Sequence, residues 1–244
     1  MNNNWYKKEK PLLGLTGLGG GVDGLGVVGA ATKTYVDDVF STYLWEGNNT
    51  IGRDIVNNID IADKGGMVWA KKRELEDHII VDTLRGANNF LIVNDSDAQS
   101  TANSISAFNS NGFTVDNNGY VNGNSSTYVG WTFAKQEGFF DVVTWTGTGS
   151  YRTLDHSLGC IPGFIMLKKT SGTESWICWH RYMGSGSNAH YLNLNENYAM
   201  GTDGGGGSNP NASVNSVSST QFTVGADNNG SGGTWVAYLF AGGE

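Results

Sequence analysis

Short runs of apolar residues, each closed by a turn or by charged residues, recur along this chain. Two of them, at 67–70 and 164–167, are four residues long, follow a glycine and end in paired lysines. Runs of this length that are bounded by Gly or Pro suit buried strands better than helices. We therefore predict a buried β-strand at each of these two places.

Further apolar segments of strand length lie between turn-forming residues. Segments 113–115 and 222–224 lead into Asn-Gly sequences, which is a signal for a β-hairpin. The other predicted strands are 79–81, 89–93, 128–133, 176–179, 191–194 and 235–240, and the Gly/Asn/Ser-rich stretches 116–126 and 201–216 are predicted to be surface loops. Many short strands without long helices predict an all-β fold built from β-sandwiches of a jelly-roll-like type.

One segment near the start of this pattern is ambiguous. Tyr35, Val36, Val39 and Phe40 recur at helical spacing, and Thr34 with Asp37 has the spacing of a capping box. The related segment FFDVVTW at 139–145 is β-branched and aromatic, which favours a strand. We therefore predict a strand at 39–46, preceded by a helical turn at 33–38.

The pattern of apolar and polar positions occurs twice. FSTYLWEG at 40–47 is repeated as FDVVTWTG at 140–147, and GGMVWAKKR at 65–73 as PGFIMLKKT at 162–170. GFTVDNNG at 112–119 is repeated as QFTVGADNNG at 221–230, and TYVGWTFA at 127–134 as TWVAYLFA at 234–241. Four repeats in the same order indicate an internal duplication. We predict two tandem β-sandwich domains, 38–136 and 137–244, behind an N-terminal segment 1–37.

The N-terminal segment lies outside the duplication. It begins with an aromatic and basic cluster and continues into a glycine-rich run, and it cannot bury enough apolar surface to fold alone. It is either a solvated tether or an extended anchor that orders against a larger assembly. We favour the anchor, with contacts made by Trp5, Tyr6, Lys7, Lys8, Leu12 and Leu13. A signal peptide is disfavoured, because the apolar run contains many glycines and Asp23.

Composition and charge narrow the classes of function. The chain of 244 residues contains 36 glycines and has a formal net charge of −8. An acidic chain is a poor general binder of nucleic acid, which requires a basic face to neutralise phosphates. No apolar stretch in the sequence reaches the length of a membrane-spanning helix. Cys160 and Cys178 are predicted to be free thiols, because both fall in the second half of the chain without a partner pattern.

Motifs that would indicate catalysis or metal binding are weak in this sequence. The four histidines and two cysteines lack zinc-site spacing, the glycine clusters lack the P-loop Lys-Ser/Thr, and no G-x-S-x-G occurs. The Asp-Asn-Asn-Gly sequences at 116–119 and 227–230 resemble calcium loops but lack the later bidentate Glu, and turn formation alone explains them. No cofactor or metal is predicted.

A weak ligand-binding candidate lies in the second half of the chain. Trp176, Trp179, His180 and Arg181 combine aromatic rings that can stack on sugars with two polar side chains. Such tryptophans are more often buried in the core. For His180 and Arg181, the alternative is a strand whose alternate residues point to solvent, without a ligand.

Several of these segments, taken in order, resemble a known family. WYKKEKPL, TYVDDVFSTYLWEG, GGMVWAKKR, DTLRG, FNSNGFTV, TYVGWTF, GFFDVVTWTG, PGFIMLKK and WVAYLFA span residues 5 to 241. This pattern resembles virion structural proteins of tailed bacteriophages, especially marine ones. The resemblance implies a non-enzymatic tail-fibre or similar appendage protein that forms trimers. It also implies that the protein is assembled in the host cytoplasm and located in the virion.

Two other classes of function stay open. One is a carbohydrate-binding module that recognises glycans on the host surface. The other is a depolymerising enzyme, which requires a pair of carboxylates about 5–10 Å apart in a cleft. The expected partners are other virion proteins, further copies of this chain as a homotrimer, and a host glycan or receptor.

Overall fold

The computed structural model describes residues 34–74, 77–184, 190–202 and 213–242. Within them the chain is all-β, with antiparallel strand pairs and short 3-10 turns such as Val36–Asp38. The fold class predicted from the apolar pattern is therefore confirmed. No helix in this part of the chain is long and apolar enough to cross a bilayer.

Nine strands form the first half of the described chain, which we call the first copy. They are β1 (Phe40–Glu46), β2 (Arg53–Val56), β3 (Gly66–Lys72), β4 (His78–Asp82), β5 (Asn89–Ile92), β6 (Ser100–Thr101), β7 (Ile105–Asn109), β8 (Gly112–Val115) and β9 (Thr127–Ala134). They form a six-stranded sheet in the order β1-β9-β3-β4-β5-β6 and a three-stranded sheet in the order β2-β8-β7.

Nine further strands form the second copy. They are β10 (Phe140–Thr146), β11 (Arg152–Asp155), β12 (Pro162–Lys169), β13 (Ile177–His180), β14 (His190–Asn193), β15 (Gly201–Thr202), β16 (Ser216–Val217), β17 (Gln221–Val224) and β18 (Thr234–Ala241). Their sheets have the orders β10-β18-β12-β13-β14-β15 and β11-β17-β16. Each strand of the first copy thus corresponds to the strand nine places later.

The register of the strands repeats as well as their order. Trp45 lies opposite Tyr128 in the first copy, and Trp145 lies opposite Trp235 in the second. Both pairs of rings are stacked, with interplanar angles of 16° and 11°. The two halves of the sequence therefore fold to the same arrangement of strands, as the repeated segments indicate.

Each copy is a sandwich whose two sheets enclose a core of its own. The first core is formed by buried apolar residues that include Trp45, Ile55, Val68, Ile79, Phe113 and Tyr128. The second is formed by Trp145, Leu154, Ile165, Leu167, Phe222 and Trp235, among others. Strands of both sheets contribute in each case, which is the packing of a β-sandwich.

The continuous apolar runs of β3 and β12 are explained by a third core between the copies. Val68 and Ala70 point into the first sandwich, whereas Met67 points out of it into the third core. In β12, Ile165 and Leu167 likewise face the second sandwich, and Met166 faces the third core. Successive side chains of a strand point to opposite faces, so a strand between two cores is apolar throughout.

The hairpin predicted after 113–115 and 222–224 is wrong. β8 pairs with β2 and β7, and β9 belongs to the other sheet. The hairpin lies before β8 instead, where the two residues 110–111 connect β7 to β8. The Asn-Gly sequence at 111–112 overlaps this turn, since Asn111 lies in the turn and Gly112 begins β8.

The predicted pairing of the two Asp-Asn-Asn-Gly sequences is also wrong. Asn122 donates a hydrogen bond to the carbonyl of Thr50, at 2.8 Å, and Asn229 donates one to the carbonyl of Ser150, at 2.6 Å. Asn229 therefore corresponds to Asn122, and not to Asn118. Both loops carry a buried asparagine that ties them to the loop after the first strand of their copy.

The start of β1 agrees with the prediction of a helical turn followed by a strand. The turn Val36–Asp38 is followed by β1 at Phe40. The cap differs from the predicted pair Thr34 and Asp37, because the backbone N–H of Tyr35 donates to the carboxylate of Asp38, at 2.7 Å.

Candidate binding surfaces at the junction of the two copies

The six-stranded sheets of the two copies face each other across the third core. The first copy contributes Met67, Ile80, Leu91 and Val93, and the second contributes Phe140, Val142, Met166, Trp176, Cys178, Val236 and Tyr238. Every one of these residues is at most 5% exposed. A continuous apolar core of this kind fixes the two sandwiches relative to each other.

A buried polar network crosses the junction beside this core. The Arg85 guanidinium donates from Nε to Oδ2 of Asp82, at 2.6 Å, and from Nη2 to the hydroxyl of Tyr238, at 3.0 Å. Tyr238 in turn donates to Asp82 Oδ2, at 2.7 Å. Asp82 is fully buried and also accepts the backbone N–H groups of Leu84 and Arg85 on Oδ1. The loop after β4 is thereby locked onto β18.

The ionisation of this network follows from its burial. Burial opposes the charge on Arg85, yet its contacts with Tyr238 and Asp82 raise the pKa of Arg85 above the ordinary value. Burial raises the pKa of Tyr238 well above that of an exposed phenol. Tyr238 is therefore neutral and donates a hydrogen bond to Asp82, while Arg85 supplies the positive charge that a buried carboxylate requires.

Other hydrogen bonds join the backbone of the first copy to the second. Trp176 Nε1 donates to the carbonyl of Ile92, at 2.8 Å, and Gln99 N–H donates to the carbonyl of Thr170, at 2.9 Å. The carbonyl of Ser96 accepts from Lys168 Nζ, at 3.1 Å, and from the backbone N–H of Glu174, at 3.0 Å. Apolar packing and directional bonds thus hold the same contact.

Lys168 is the most unusual charged residue of the junction. Its side chain is fully buried, and Nζ donates to the carbonyls of Ser96 and Lys169. Burial lowers the pKa of Lys168 to about 8, against an ordinary value of 10.5. Carbonyl oxygens solvate the ammonium group but do not neutralise it, so this residue loses its proton more readily than an exposed lysine.

A cleft of about 490 Å³ opens where the sheets diverge. Hydroxyl groups dominate its walls, with Thr144, Thr146, Thr170 and Thr234 on the second copy and Leu84, Arg85 and Gln99 on the first. Thr170 and Thr234 are joined through their hydroxyls, at 2.6 Å. A cleft at a domain junction, lined by hydroxyls with one exposed leucine, suits a small polar ligand.

A second cleft, of about 290 Å³, continues from the first through Leu84 and Thr144. Asp141 lies in its wall and is 2% exposed; its Oδ1 pairs with Lys135 Nζ at 2.9 Å, and its Oδ2 accepts the N–H of Ser157 at 2.6 Å. Beside it, burial lowers the pKa of His156. These contacts satisfy Asp141 within the fold, so its role is to hold this wall of the cleft.

An aromatic surface lies on the first copy, on the same face of its six-stranded sheet as the junction. Trp69 stacks on His78, with ring centroids 5.8 Å apart, and meets Trp131 edge to face at the same distance. Trp69 Nε1 donates to Nδ1 of His78, at 2.9 Å. All three rings are half-buried, and Leu44 beside them is 60% exposed.

The contact with Trp69 also fixes the protonation of the histidine. Burial lowers the pKa of His78, so the imidazole is neutral in neutral solution. Because Nδ1 accepts the bond from Trp69, the single ring proton of neutral His78 is on Nε2. The surface thus presents one N–H donor next to two indole rings.

The structure separates the four residues of the predicted ligand site. Trp176 and Trp179 are 0% and 1% exposed, so the prediction that they stack on a ligand is wrong. Trp176 is covered by the first copy, and Trp179 packs in the second core. His180 is half-buried and accepts the N–H of Tyr182 on Nδ1, at 3.3 Å, while Arg181 donates to the carbonyl of Ile161.

The remaining predicted sites are distributed as follows. The anchor residues Trp5, Tyr6, Lys7, Lys8, Leu12 and Leu13 lie outside the described residues. Asp116, in the first calcium-like turn, accepts the N–H of Gly52 on Oδ1 at 2.8 Å, which ties this turn to the loop before β2. Both cysteines are free thiols in the structure. Within the described ranges, His, Cys, Asp and Glu side chains form no group that could hold a metal ion.

Sequence reasoning missed the residues that matter at the junction. Asp82 and Arg85 belong to the segment DTLRG, which follows a predicted strand, and an acidic and a basic residue three apart were a usable signal. Trp69 and Trp131 were assigned to strands without a surface role. Their exposure depends on how much of the first copy's sheet the second copy covers, which the pattern of strands along the chain does not encode.

The comparisons with known proteins give one family. Residues 36–244 match a family described as a domain of unknown function, DUF7483. The match covers both copies, so the chain belongs to this family. Neither the curated proteins nor the solved structures contain a significant match to the chain.

Proposed function

We propose that this member of the DUF7483 family is a non-enzymatic structural protein of a phage virion, a tail fibre or similar appendage. It attaches to other virion proteins through its N-terminal segment and contributes to host attachment as a homo-oligomer. In this proposal the protein is assembled in the host cytoplasm, without a cofactor.

The observation that supports the proposal best is the third core. Eleven buried residues and the network of Asp82, Arg85 and Tyr238 join two sandwiches into one rigid unit. An appendage must transmit position and force between its attachment point and its tip, and a rigid tandem unit is suited to that. The resemblance to virion proteins covers residues 5 to 241 and includes the N-terminal cluster.

Deletion of the first thirty residues tests the attachment. The truncated chain is expected to fold, because the described sandwiches begin after that segment, but to be missing from purified particles. A second variant, with Trp5 and Tyr6 both changed to Ala, is expected to reduce incorporation in the same direction. Incorporation is measured by quantitative immunoblotting of purified virions, and circular dichroism verifies the fold. Normal incorporation of the truncated chain would refute the proposal.

The alternative, a carbohydrate-binding module for host glycans, is favoured by the hydroxyl-lined cleft. Thr144, Thr146 and Gln99 provide hydroxyl and amide groups at its wall, beside the exposed Leu84. A glycan array probed with the assembled protein is expected to show binding that Gln99→Ala and Thr146→Val both weaken. An array without any binding would count against this alternative and leave the structural role standing.

A further inference from the structure

The contact between the two copies is asymmetric, because each copy uses a different part of its sheet. At the centre of the contact both copies use equivalent positions, Ile80 and Cys178, which are both buried. Beyond Met67 and Ile80, the first copy presents residues on or after β4 and β5, which we call its inserting surface: Leu84, Leu91, Val93 and Gln99. The second copy presents the outer face of β10, β18 and β12 and the residue before β13, which we call its receiving surface: Val142, Met166, Trp176, Val236 and Tyr238. Since both copies share one fold, each also carries the equivalent of the surface that the other uses.

The strand register identifies the inserting surface of the second copy. Leu91 lies opposite Ile80 in β4, and Leu192 lies opposite Cys178 in β13. Val93 N–H donates to the carbonyl of His78, and Leu194 N–H donates to that of Trp176. By the same register, Met200 corresponds to Gln99 and Tyr182 to Leu84.

These equivalent residues are apolar but uncovered. Leu91 and Val93 are completely buried, whereas Leu192 and Leu194 are 43% and 38% exposed. Met200 is 52% exposed and Tyr182 is 86% exposed. The change from buried to exposed holds for the pairs Leu91/Leu192 and Val93/Leu194, whereas Leu84, the equivalent of Tyr182, is itself 48% exposed and Gln99, the equivalent of Met200, is half-buried. Apolar side chains that are buried in one copy and exposed at the same positions of the other mark an interaction surface.

The receiving surface of the first copy is the aromatic surface described above. Trp131 lies opposite both Thr42 and Trp69, as Tyr238 lies opposite both Val142 and Met166. The residues that correspond to Val142, Met166, Trp176, Val236 and Tyr238 are Thr42, Trp69, His78, Val129 and Trp131. The second-copy residues are at most 2% exposed, and their first-copy equivalents are exposed or half-buried.

We propose that this chain assembles head to tail, with the inserting surface of the second copy packed on the receiving surface of the first copy of another chain. The occupant of each surface is thus a second copy of this chain, placed as the first copy is placed on the second within one chain. Such an interface is heterologous, so it forms rings where the rotation closes and filaments where it does not.

The side chains of the two uncovered surfaces fit this packing. Within the chain, Arg85 Nη2 donates to the hydroxyl of Tyr238. Between chains the equivalent residues are Met183 and Trp131, and a thioether on an indole is a favourable contact. In the chain, Trp176 Nε1 donates to the carbonyl of Ile92. The equivalent donor is His78 Nε2, and the equivalent acceptor is the carbonyl of Asn193 on the next chain.

The first test measures mass by light scattering after size-exclusion chromatography. The wild-type chain is expected to be larger than a dimer. Leu192→Glu with Leu194→Glu removes the inserting surface, and Thr42→Glu with Leu44→Glu removes the receiving surface; each double variant is expected to become a monomer. Ile51→Glu with Val56→Glu is the matched control, because both side chains are exposed, at 65% and 47%, and lie outside both surfaces. The control is expected to keep the wild-type mass.

The second test mixes the two monomeric double variants in equal amounts. One retains its receiving surface and the other its inserting surface, so the mixture is expected to form a dimer that cannot grow further. All substituted residues are exposed, and circular dichroism verifies that each variant is folded.

Three results would overturn the inference. They are a wild-type chain that is monomeric up to its solubility limit, surface variants that keep the wild-type mass, and a mixture that stays monomeric. A monomer that binds glycans through Trp131 would assign the aromatic surface to a carbohydrate. A monomeric wild type would also remove the homo-oligomer from the proposed function, but attachment to the virion is measured separately by incorporation. The failure of this inference and the failure of the attachment role are therefore distinguishable.

Discussion

At the scale of single residues, two glycines repeat one close contact in both copies. A Cβ on Gly47 would lie 2.1 Å from the carbonyl oxygen of Gly123, and a Cβ on Gly147 would lie 2.0 Å from that of Gly230. Both contacts are with backbone, which cannot rotate away as a side chain does. The glycine that follows the first strand of each copy is therefore required by the loop that comes before the last strand.

Substitution of Gly47 tests this close contact. Gly47→Ala is expected to lower the free energy of unfolding by about 1–3 kcal/mol, because the methyl group forces the two loops apart. Gly119→Ala is the matched control in the neighbouring loop, since a Cβ there meets no atom within 4 Å. The control is expected to change stability by less than about 1 kcal/mol. Urea unfolding monitored by tryptophan fluorescence measures both, and equal effects of the two variants would contradict the assignment.

At the scale of elements, the paired lysines that end β3 and β12 look alike in sequence but differ in environment. Lys71 is half-buried, whereas Lys168 is covered by the first copy and has lost all contact with solvent. In the unfolded chain Lys168 titrates near its ordinary pKa of 10.5, and in the folded chain near 8. Between these values the unfolded state binds more protons, so the stability of the fold rises with pH in this window.

The substitution Lys168→Met isolates this dependence. The free energy of unfolding of the wild type, minus that of the variant, is expected to rise as pH increases from 8 towards 10.5, by up to roughly 3 kcal/mol. Taking the difference cancels the other groups that titrate in this range. Urea unfolding of both proteins at several pH values in the window provides the measurement. A difference that stays constant, or falls with pH, would contradict the burial of a charged lysine.

The strands show how far the sequence determines this fold. The runs ending at Ala70 and Leu167 were predictable because an apolar stretch of four residues flanked by Gly and lysines has few alternatives. The partner of β8 was not, because Asn-Gly sequences occur on both sides of Phe113 and only sheet packing selects between them. The presence of a strand is local information, whereas its partner is not, because β1 pairs with β9 and β2 with β8 across long stretches of the chain.

The candidate site was predicted less well than the strands, for a related reason. Trp176 and Trp69 are both tryptophans in or next to short strands, yet one is completely buried and the other half-exposed. The difference arises because the first copy covers the second and nothing in the described chain covers the first in the same way. The exposure of a side chain on the outer face of a sandwich depends on its neighbour in space, which the pattern along the chain does not specify.

At the scale of the whole molecule, the third core decides whether the two copies open separately or together. Cys178 reports on this core, because it is 5% exposed and lies between the sheets, whereas Cys160 is outside it. Burial raises the pKa of the Cys178 thiol to about 12, so in the closed molecule it is both inaccessible and protonated. Reaction with a thiol reagent therefore requires the sheets to separate.

Thiol labelling in a Cys160→Ser background measures the free energy of that separation. We expect the free energy of separation to equal that of global unfolding. Met67, Ile80 and Met166 belong to strands that also line the core of one copy, so opening the junction disturbs strands on which both cores depend. Tyr238→Phe removes the hydroxyl that Asp82 and Arg85 share and is expected to cost about 1–3 kcal/mol, which speeds labelling by about 5- to 150-fold. Labelling that is much faster than global unfolding allows would mean that the sandwiches part while each stays folded. The rigid unit on which the structural role depends would then be a hinge, and a hinge would transmit neither position nor force along an appendage.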